Sequence, residues 1–511
     1  MLFNSWQFLI FFPVVTLLYY ALPHRFRWFM LLLASCFFYC VLIPKYIFIL
    51  FFLIAVDYTA GIYIEQAQGP WRKRFLIMSI VANLSVLALF KYCNFFIINY
   101  DHLLHFWHIQ LPELDIWRII LPIGLSFHTF QSMSYTIEVY RGHQKAERHI
   151  GIYALYVMFY PQLVAGPIER PQHMLHQFYE RHPFVWDNLW RGLRLMLWGL
   201  FKKAVIADRL DAYVATMFNH PDAYHPGNVA LGAVFFAFIA YGDVSGYSDI
   251  AIGAARVMGF SLMNNFNRPY MSSNIAMFWR RWHISLSTWF RDYLYIPMGG
   301  NRVGVLRRNF NLLFTFAVSG FWHGANWTYI AWGTLHGVYV VIYTNLEILA
   351  AKISGSERAW VNPAPTDDIA MDAKVSGGER AGVNPAPTLG ISMVGRVFGT
   401  IFTFFLIVVG LVFFRSGSIG EAFHFFHYVV SPSALSFFAC PTVRNVYLGV
   451  SWFVFVFILF GFVLLSEEVL VRNDNRFTGS RWIDSMWLGL VLFLVLTMGI
   501  YNQETFIYFQ F

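Results

Sequence analysis

The chain has 511 residues, of which 58% are hydrophobic and only 13% are charged. Soluble domains carry roughly 25% charged residues, so this composition excludes a soluble globular protein and indicates a membrane protein with many spans. The formal net charge is +8, but the positive residues stand in short loops between apolar runs, so the charge does not indicate nucleic-acid binding.

Apolar runs long enough to cross a membrane follow one another along most of the chain. Runs of about 20 residues mark spans, and their number predicts about 10–12 crossings by helices. The candidate spans lie, in chain order, near residues 2–22, 29–44, 46–64, 76–99, 119–139, 150–166, 189–207, 229–258, 309–320, 325–350, 396–414, 447–466 and 485–502. Some of these runs, and the stretch 268–300, could instead be re-entrant segments that enter and leave the membrane on one side.

Positive residues cluster in three short loops, which follow the first, third and fifth predicted spans. These residues are Arg25 and Arg27, then Arg72, Lys73 and Arg74, and then Arg141, Lys145 and Arg148. Loops rich in Lys and Arg stay in the cytoplasm, so we expect the N-terminus to lie outside. The first run lacks the basic start and the small-residue end of a cleavable signal peptide, so we expect it to remain as a span.

Residues 351–391 interrupt the apolar pattern with Gly, Pro, Ala and Ser. The sequence from Ser354 to Thr366 recurs from Ser376 to Thr388 with eleven of thirteen positions identical. Two copies are too few for a repeat fold, and neither has the apolar residues to build a core. We expect a disordered cytoplasmic loop. It separates the main part of the domain, 1–350, from its C-terminal spans, 392–511.

Four stretches are too polar for their apolar surroundings. Residues 159–171 contain three prolines and a glycine, which would break a span and so line a cavity. Residues 241–260 place Asp243 and Asp249 in an apolar run, where each acid needs water or a partner such as Arg256 or another span. The stretch 264–300 combines aromatic residues and arginines with His283, and the fourth stretch contains His323.

His323 lies in the middle of an apolar segment that could cross a membrane. An ionisable side chain at that depth faces a water-filled cavity or the protein interior and is a candidate functional residue. The alternative is a packed, hydrogen-bonded residue between helices, and the arginines around His283 could form an interfacial belt. His128 and His336 also have apolar surroundings, and we interpret both as structural.

The four polar stretches carry a resemblance to a known family. The sequence Arg281-Trp-His-Ile-Ser-Leu-Ser, the sequence Trp289-Phe-Arg-Asp-Tyr and the sequence Phe321-Trp-His-Gly resemble the bacterial branch of the membrane-bound O-acyltransferases. This resemblance implies an all-α polytopic membrane protein in which a ring of tilted helices and re-entrant segments surrounds a central catalytic funnel. It also implies that His323 is the catalytic histidine and that His283 is the second active-site position.

The same resemblance implies the reaction and its partners. An acyl group, expected to be acetyl, would pass from acetyl-CoA or another cytoplasmic thioester to an extracytoplasmic polysaccharide such as alginate. Peptidoglycan, cellulose and teichoic acid are the alternative acceptors. The resemblance further implies a bacterial inner membrane, contact with lipids, and acetyltransferase partner proteins outside the membrane. No metal and no permanently bound cofactor are expected, because a thioester is already activated.

The chemistry of the residues agrees with these roles. Neutral histidine is matched to removing a hydroxyl proton near pH 7, and a second imidazole at position 283 could polarise the thioester carbonyl. Asn326, three residues after His323, could orient its ring from one helical turn away. Arg281 and Arg291 could bind phosphates of a donor. The alternative in a different class is a secondary transporter with a histidine proton relay, although the chain shows no matching halves.

The C-terminal tail is aromatic and almost uncharged, whereas chain ends are usually polar and frayed. It runs from Phe506 to Phe511 directly after the last predicted span. One interpretation is an aromatic anchor at the membrane interface. The other is that the tail docks in the outward funnel, where Tyr508 would offer its hydroxyl group to the acyl group.

Overall fold

The computed structural model describes residues 1–41, 44–109, 111–117, 121–353, 393–431, 450–472 and 481–501. Within these ranges the chain forms helices and no strands, which confirms the all-α prediction. The α-helices are, in chain order, α1 (Trp6–Ala21), α2 (His24–Cys40), α3 (Ile47–Gln66), α4 (Pro70–Leu87), α5 (Cys93–Phe106), α6 (Leu125–Arg141), α7 (Ile150–Met158), α8 (Tyr160–Leu163), α9 (Pro171–Met174), α10 (Trp186–Leu200), α11 (Asp208–Asn219), α12 (Pro226–Val257), α13 (Ile275–Arg281), α14 (Ile284–Phe290), α15 (Val305–His323), α16 (Trp327–Ile353), α17 (Met393–Arg415), α18 (Ile419–Val429), α19 (Val450–Arg472) and α20 (Arg481–Met498).

Five helical stretches of the described chain are long and apolar enough to cross a membrane. They are Pro44–Gln66, Pro70–Phe106, Pro226–Val257, Trp327–Ile353 and Met393–Arg415. Shorter apolar helices accompany them at Trp6–Ala21, Val456–Glu467 and Trp482–Met498. The chain is therefore a multi-pass integral membrane protein.

The ends of the helices define two sides of the molecule. On the first, which we call the basic side, Arg72 donates a hydrogen bond to the carbonyl oxygen of Tyr140 at 2.8 Å, and the ring of Trp28, next to Arg27, lies 4.6 Å from that of His149, next to Arg148. The basic loops predicted to share one compartment thus lie together. On the opposite side, the ring of Trp6 lies 6.1 Å from that of Tyr501.

The segment from α7 to α9 enters and leaves on the basic side. Helix α7 begins just after the basic loop. The helical path is interrupted at Phe159, and α8, which contains Pro161, follows. The chain then returns, so that the hydroxyl group of Tyr179 donates to the Glu147 carboxylate at 2.6 Å. The prediction of a span at 150–166 is therefore wrong, and the re-entrant alternative is correct.

A second re-entrant segment joins α12 to α15 and carries the predicted arginine-rich stretch. Ser261 and Gln177 exchange two hydrogen bonds, of 2.8 and 3.0 Å, which fix its start on the basic side. Arg141 donates to the carbonyl oxygen of Asp292 at 2.9 Å, which fixes its far end there. The stretch 268–300 therefore reaches into the molecule and returns, as the re-entrant interpretation predicted.

The two acids in α12 receive their partners from another helix, as predicted. A π-helical turn, Phe201–Ala207, follows α10 and presents two lysines. Lys202 pairs with Asp249 at 2.7 Å and Lys203 pairs with Asp243 at 2.6 Å. Burying a charge is costly unless it is paired, so these contacts explain how the central helix tolerates carboxylates.

Candidate active site

His323 is the last residue of α15, where the helix meets α16 in a tight turn. Its side chain is 4% exposed. The imidazole lies edge-on to Trp332, with ring centroids 5.1 Å apart, and 5.5 Å from the ring of Phe414. Aromatic rings from α16 and α17 thus pack against this polar ring.

His283 stands between the short helices α13 and α14 of the second re-entrant segment. Its backbone is left-handed, with φ of 44°, a conformation that costs a non-glycine residue roughly 1–3 kcal/mol and is common at functional sites. The side chain is 2% exposed. The re-entrant segment therefore brings an imidazole from the basic side into the interior.

Asn265 holds this strained turn in place, and sequence reasoning did not single it out. Its carbonyl oxygen accepts from the backbone of Ile284 at 2.8 Å. Its side-chain oxygen accepts from the hydroxyl group of Ser285 at 2.9 Å, and its amide donates to Ser248 of α12 at 3.1 Å. The His283 turn is thus tied to the buried central helix.

The structure brings together the two segments that carry the predicted histidines. The ring of Phe127, on α6, lies 6.1 Å from the ring of His283 and 5.5 Å from that of Trp322. One phenyl ring therefore bridges the two histidine segments. His283 arrives from the basic side, whereas His323 stands at the turn that faces the opposite side.

Lys91 contacts the end of the His323 helix, and the sequence analysis did not identify it. Its ammonium group donates to the carbonyl oxygens of Trp322 and His323 at 2.7 and 3.0 Å. A lone lysine inside the predicted span 76–99 was the available signal, because charges at membrane depth are costly and mark functional positions.

Asn326 does not occupy the predicted position beside His323. Because α15 ends at His323, no helical turn connects the two residues. The Asn326 side chain instead accepts from the backbone of Thr328 at 3.1 Å and donates to the carbonyl oxygen of Gly417 at 2.9 Å. It shapes the turn after His323, and the prediction that it lies one helical turn away is wrong.

The two candidate arginines differ in their surroundings. Arg291 donates to Asp292 at 2.8 Å, and Arg170 binds the other oxygen of that carboxylate at 3.2 Å. Arg281 has no carboxylate within ion-pair distance in the described ranges. The guanidinium group of Arg281 is therefore the better placed of the two for an anionic ligand.

The remaining histidines and the tail complete the comparison with the predictions. His336 is 1% exposed and packs against Trp332, with ring centroids 5.2 Å apart. His128 is 2% exposed on α6. Of the predicted loop 351–391, residues 351–353 belong to α16, and the rest of the loop lies outside the described residues, as does Tyr508.

Comparison with known proteins gives the family. The model of MBOAT, the membrane-bound O-acyltransferase family, matches residues 67–346. The Pseudomonas aeruginosa protein named probable alginate O-acetylase AlgI is 40% identical over 366 residues, which cover 71% of this chain and 69% of that protein. The Helicobacter pylori peptidoglycan O-acetyltransferase is 36% identical over 376 residues, covering 67% and 70%. The Bacillus subtilis teichoic acid D-alanyltransferase is 30% identical over 255 residues, covering 46% and 62%.

This chain belongs to the membrane-bound O-acyltransferase family. It is an acyltransferase, as predicted. The family assignment favours this class over the secondary transporter that the buried histidines alone left open.

Proposed function

We propose that this protein takes an acetyl group from acetyl-CoA, or another cytoplasmic thioester, and transfers it across the bacterial inner membrane for O-acetylation of an extracytoplasmic polysaccharide such as alginate. The observation that carries the proposal is the meeting of His283 and His323. One imidazole arrives on a re-entrant segment from the basic side, and the other stands at a turn facing the opposite side. A donor and an acceptor entering from different sides would meet between them.

The proposed chemistry needs one base and one hydrogen-bond donor. His323 accepts the proton of the acceptor hydroxyl group as the oxygen attacks the thioester carbonyl. The carbon–sulfur bond breaks, and the departing thiolate takes that proton. His283, held by Asn265, donates a hydrogen bond to the carbonyl oxygen as negative charge develops there. The aromatic surroundings of His323 keep water away from the acetyl group.

The surroundings of Arg281 support a thioester donor with anionic groups. It stands two residues before His283 and has no carboxylate partner in the described part of the chain. Guanidinium groups bind phosphate oxygens through paired hydrogen bonds. A donor phosphate bound at Arg281 on the basic side would leave the thioester end directed toward His283.

The orientation and partners follow from this assignment. The positive-inside rule places the basic side in the cytoplasm, the N-terminus in the periplasm and the His323 turn toward the periplasm. We infer from the resemblance to the family that extracytoplasmic acetyltransferase proteins complete the transfer to the polymer.

A second acceptor is peptidoglycan, favoured by the Helicobacter pylori relative at 36% identity. A deletion strain and its complemented partner distinguish the two. We expect base-labile acetate to disappear from the secreted uronic acid polymer of the deletion strain, to return on complementation, and to stay constant in purified cell-wall sugars. Loss from wall sugars alone would replace alginate with peptidoglycan, and loss from neither would contradict polysaccharide O-acetylation.

A further inference from the structure

The His323 helix ends without a standard cap. The last carbonyl groups of an α-helix lack partners inside the helix, and left-handed glycine caps commonly satisfy them. Here Gly324 follows His323 in an extended conformation, with φ of −161°. The carbonyl groups at this buried helix end must therefore find their donors elsewhere in the protein.

A π-helical turn between α4 and α5 supplies those donors. It spans Ala88–Tyr92. Lys91 donates to the carbonyl oxygens of Trp322 and His323, and the hydroxyl group of Tyr92 donates to that of Phe321 at 3.2 Å. Two consecutive residues of one helix thus bind three consecutive carbonyl groups of another.

Ring contacts also connect the π-helical turn to the end of α15. The ring of Tyr92 stacks on that of Phe321, with centroids 4.3 Å apart, and the ammonium group of Lys91 lies 5.6 Å from the centroid of the Trp322 ring. A π turn inserts an extra residue into a helix and often occurs at functional sites. Here it directs both side chains toward the end of α15.

The charge of Lys91 suits this position. The C-terminus of a helix carries partial negative charge, and a cation there is stabilising by about 0.3–2 kcal/mol. In the described residues no carboxylate lies within ion-pair distance of Lys91, so carbonyl oxygens and a ring face accept its ammonium group. A half-buried lysine without an acid partner would be costly unless the helix end used its charge.

We propose that Lys91 is a positioning residue for the reaction and that, with Tyr92, it fixes the terminal turn of α15 so that the His323 imidazole keeps its place opposite His283. This inference rests on the proposed role of His323 as the base. Lys91 acts through the backbone of His323 and does not touch the reacting atoms. A misplacement of about 1 Å can cost about 10²-fold in rate. Loss of the contacts that fix this turn should therefore lower the turnover number.

The first test compares Lys91→Met with Lys91→Arg in the purified protein, with radiolabelled acetyl-CoA as the donor probe. Methionine keeps the length of the side chain and removes its charge. We therefore expect kcat for release of the labelled acetyl group from acetyl-CoA to fall by about 10²-fold, with KM for acetyl-CoA within about threefold of the wild type. Arginine restores two donors, and we expect it to recover turnover to within about tenfold of the wild type. Equal turnover in Lys91→Met and the wild type would overturn the proposal.

A matched control separates positioning from general destabilisation. Arg209 of α11 donates to the carbonyl oxygen of Met498 at the end of α20, a similar cation-to-helix-end contact between two helices that carry neither histidine. We expect Arg209→Met to lower the melting temperature about as much as Lys91→Met but to keep near-normal turnover per folded molecule. A parallel loss of turnover in both variants would assign Lys91 to stability alone.

A second measurement does not depend on the reaction. Diethyl pyrocarbonate acylates histidine, and mass spectrometry follows each site. In Lys91→Met we expect His323 to react several-fold faster, because its turn is released, while His336 reacts at its wild-type rate. Unchanged reactivity of His323 would refute the positioning role whatever the turnover. If His323→Gln turned over normally, the proposed function would fail, and the reactivity of His323 would still decide the role of Lys91.

Discussion

The packing of the helix pair that carries His323 gives a sharp prediction. α15 and α16 approach so closely that their backbones touch at two glycines. A Cβ atom added at Gly333 would lie 2.2 Å from the carbonyl oxygen of Phe316, and one added at Gly320 would lie 2.2 Å from that of Tyr329. Ordinary contact begins at 3.4 Å, so Gly333→Ala must separate the two helices by more than 1 Å.

Two consequences follow from that separation. Overpacking of this kind costs about 1–3 kcal/mol of stability. The terminal turn of α15 would also move relative to His283, and a displacement of about 1 Å can cost about 10²-fold in rate. We therefore expect Gly333→Ala to insert and fold, with a lowered melting temperature, but to lose about 10²-fold in acetyl transfer.

The assay is acetyl transfer per folded molecule, and the chain offers a matched control. Gly461 lies in the apolar helix α19, and a Cβ atom added there meets no heavy atom within 4 Å. Alanine is a better helix former than glycine by about 1 kcal/mol, so Gly461→Ala should be neutral or slightly stabilising. Normal transfer by Gly333→Ala would refute the argument that the close approach of these helices places His323.

Three further predictions concern other parts of the chain. Asn265→Leu keeps the volume but leaves the polar groups that bind the amide unsatisfied, so we expect a loss of about 1–3 kcal/mol in unfolding measurements together with impaired transfer; a variant as stable and active as the wild type would show that the His283 turn needs no clamp. Deletion of residues 354–388 should leave polymer acetylation nearly unchanged, because long surface loops carry little closure penalty, and a severe loss would contradict a dispensable loop. Under the anchor interpretation of the tail, Tyr508→Phe should acetylate polymer normally, whereas loss of transfer with thioester hydrolysis intact would place the hydroxyl group in the transfer path.

Much of the helical framework could be predicted from apolar run lengths. The predicted spans 229–258 and 325–350 correspond to α12 at Pro226–Val257 and α16 at Trp327–Ile353. Both are continuous in hydropathy and free of internal proline. By contrast, 150–166 has the composition of a span, and its re-entrant path depends on contacts with distant residues, such as that between Tyr179 and Glu147.

The sequence predicted which residues belong to the candidate site better than it predicted how they are arranged. His323 and His283 stood out because each is ionisable in apolar surroundings. The role expected for Asn326 assumed that α15 continued past His323, but the helix ends there. Lys91 and Asn265 act through backbone carbonyl and amide groups, and a single sequence does not record which backbone groups a side chain will meet.

The central claim is that His323 is the base for acetyl transfer, and His323→Gln compared with His336→Gln tests it most directly. Both histidines are buried and both lie against the ring of Trp332, so the two substitutions are made in similar aromatic surroundings. We predict that His323→Gln inserts normally and loses about 10²–10⁴-fold in acetylation of the polysaccharide, while His336→Gln stays within about tenfold of the wild type. Wild-type acetylation by His323→Gln at normal protein level, or an equal loss in both variants, would contradict the account.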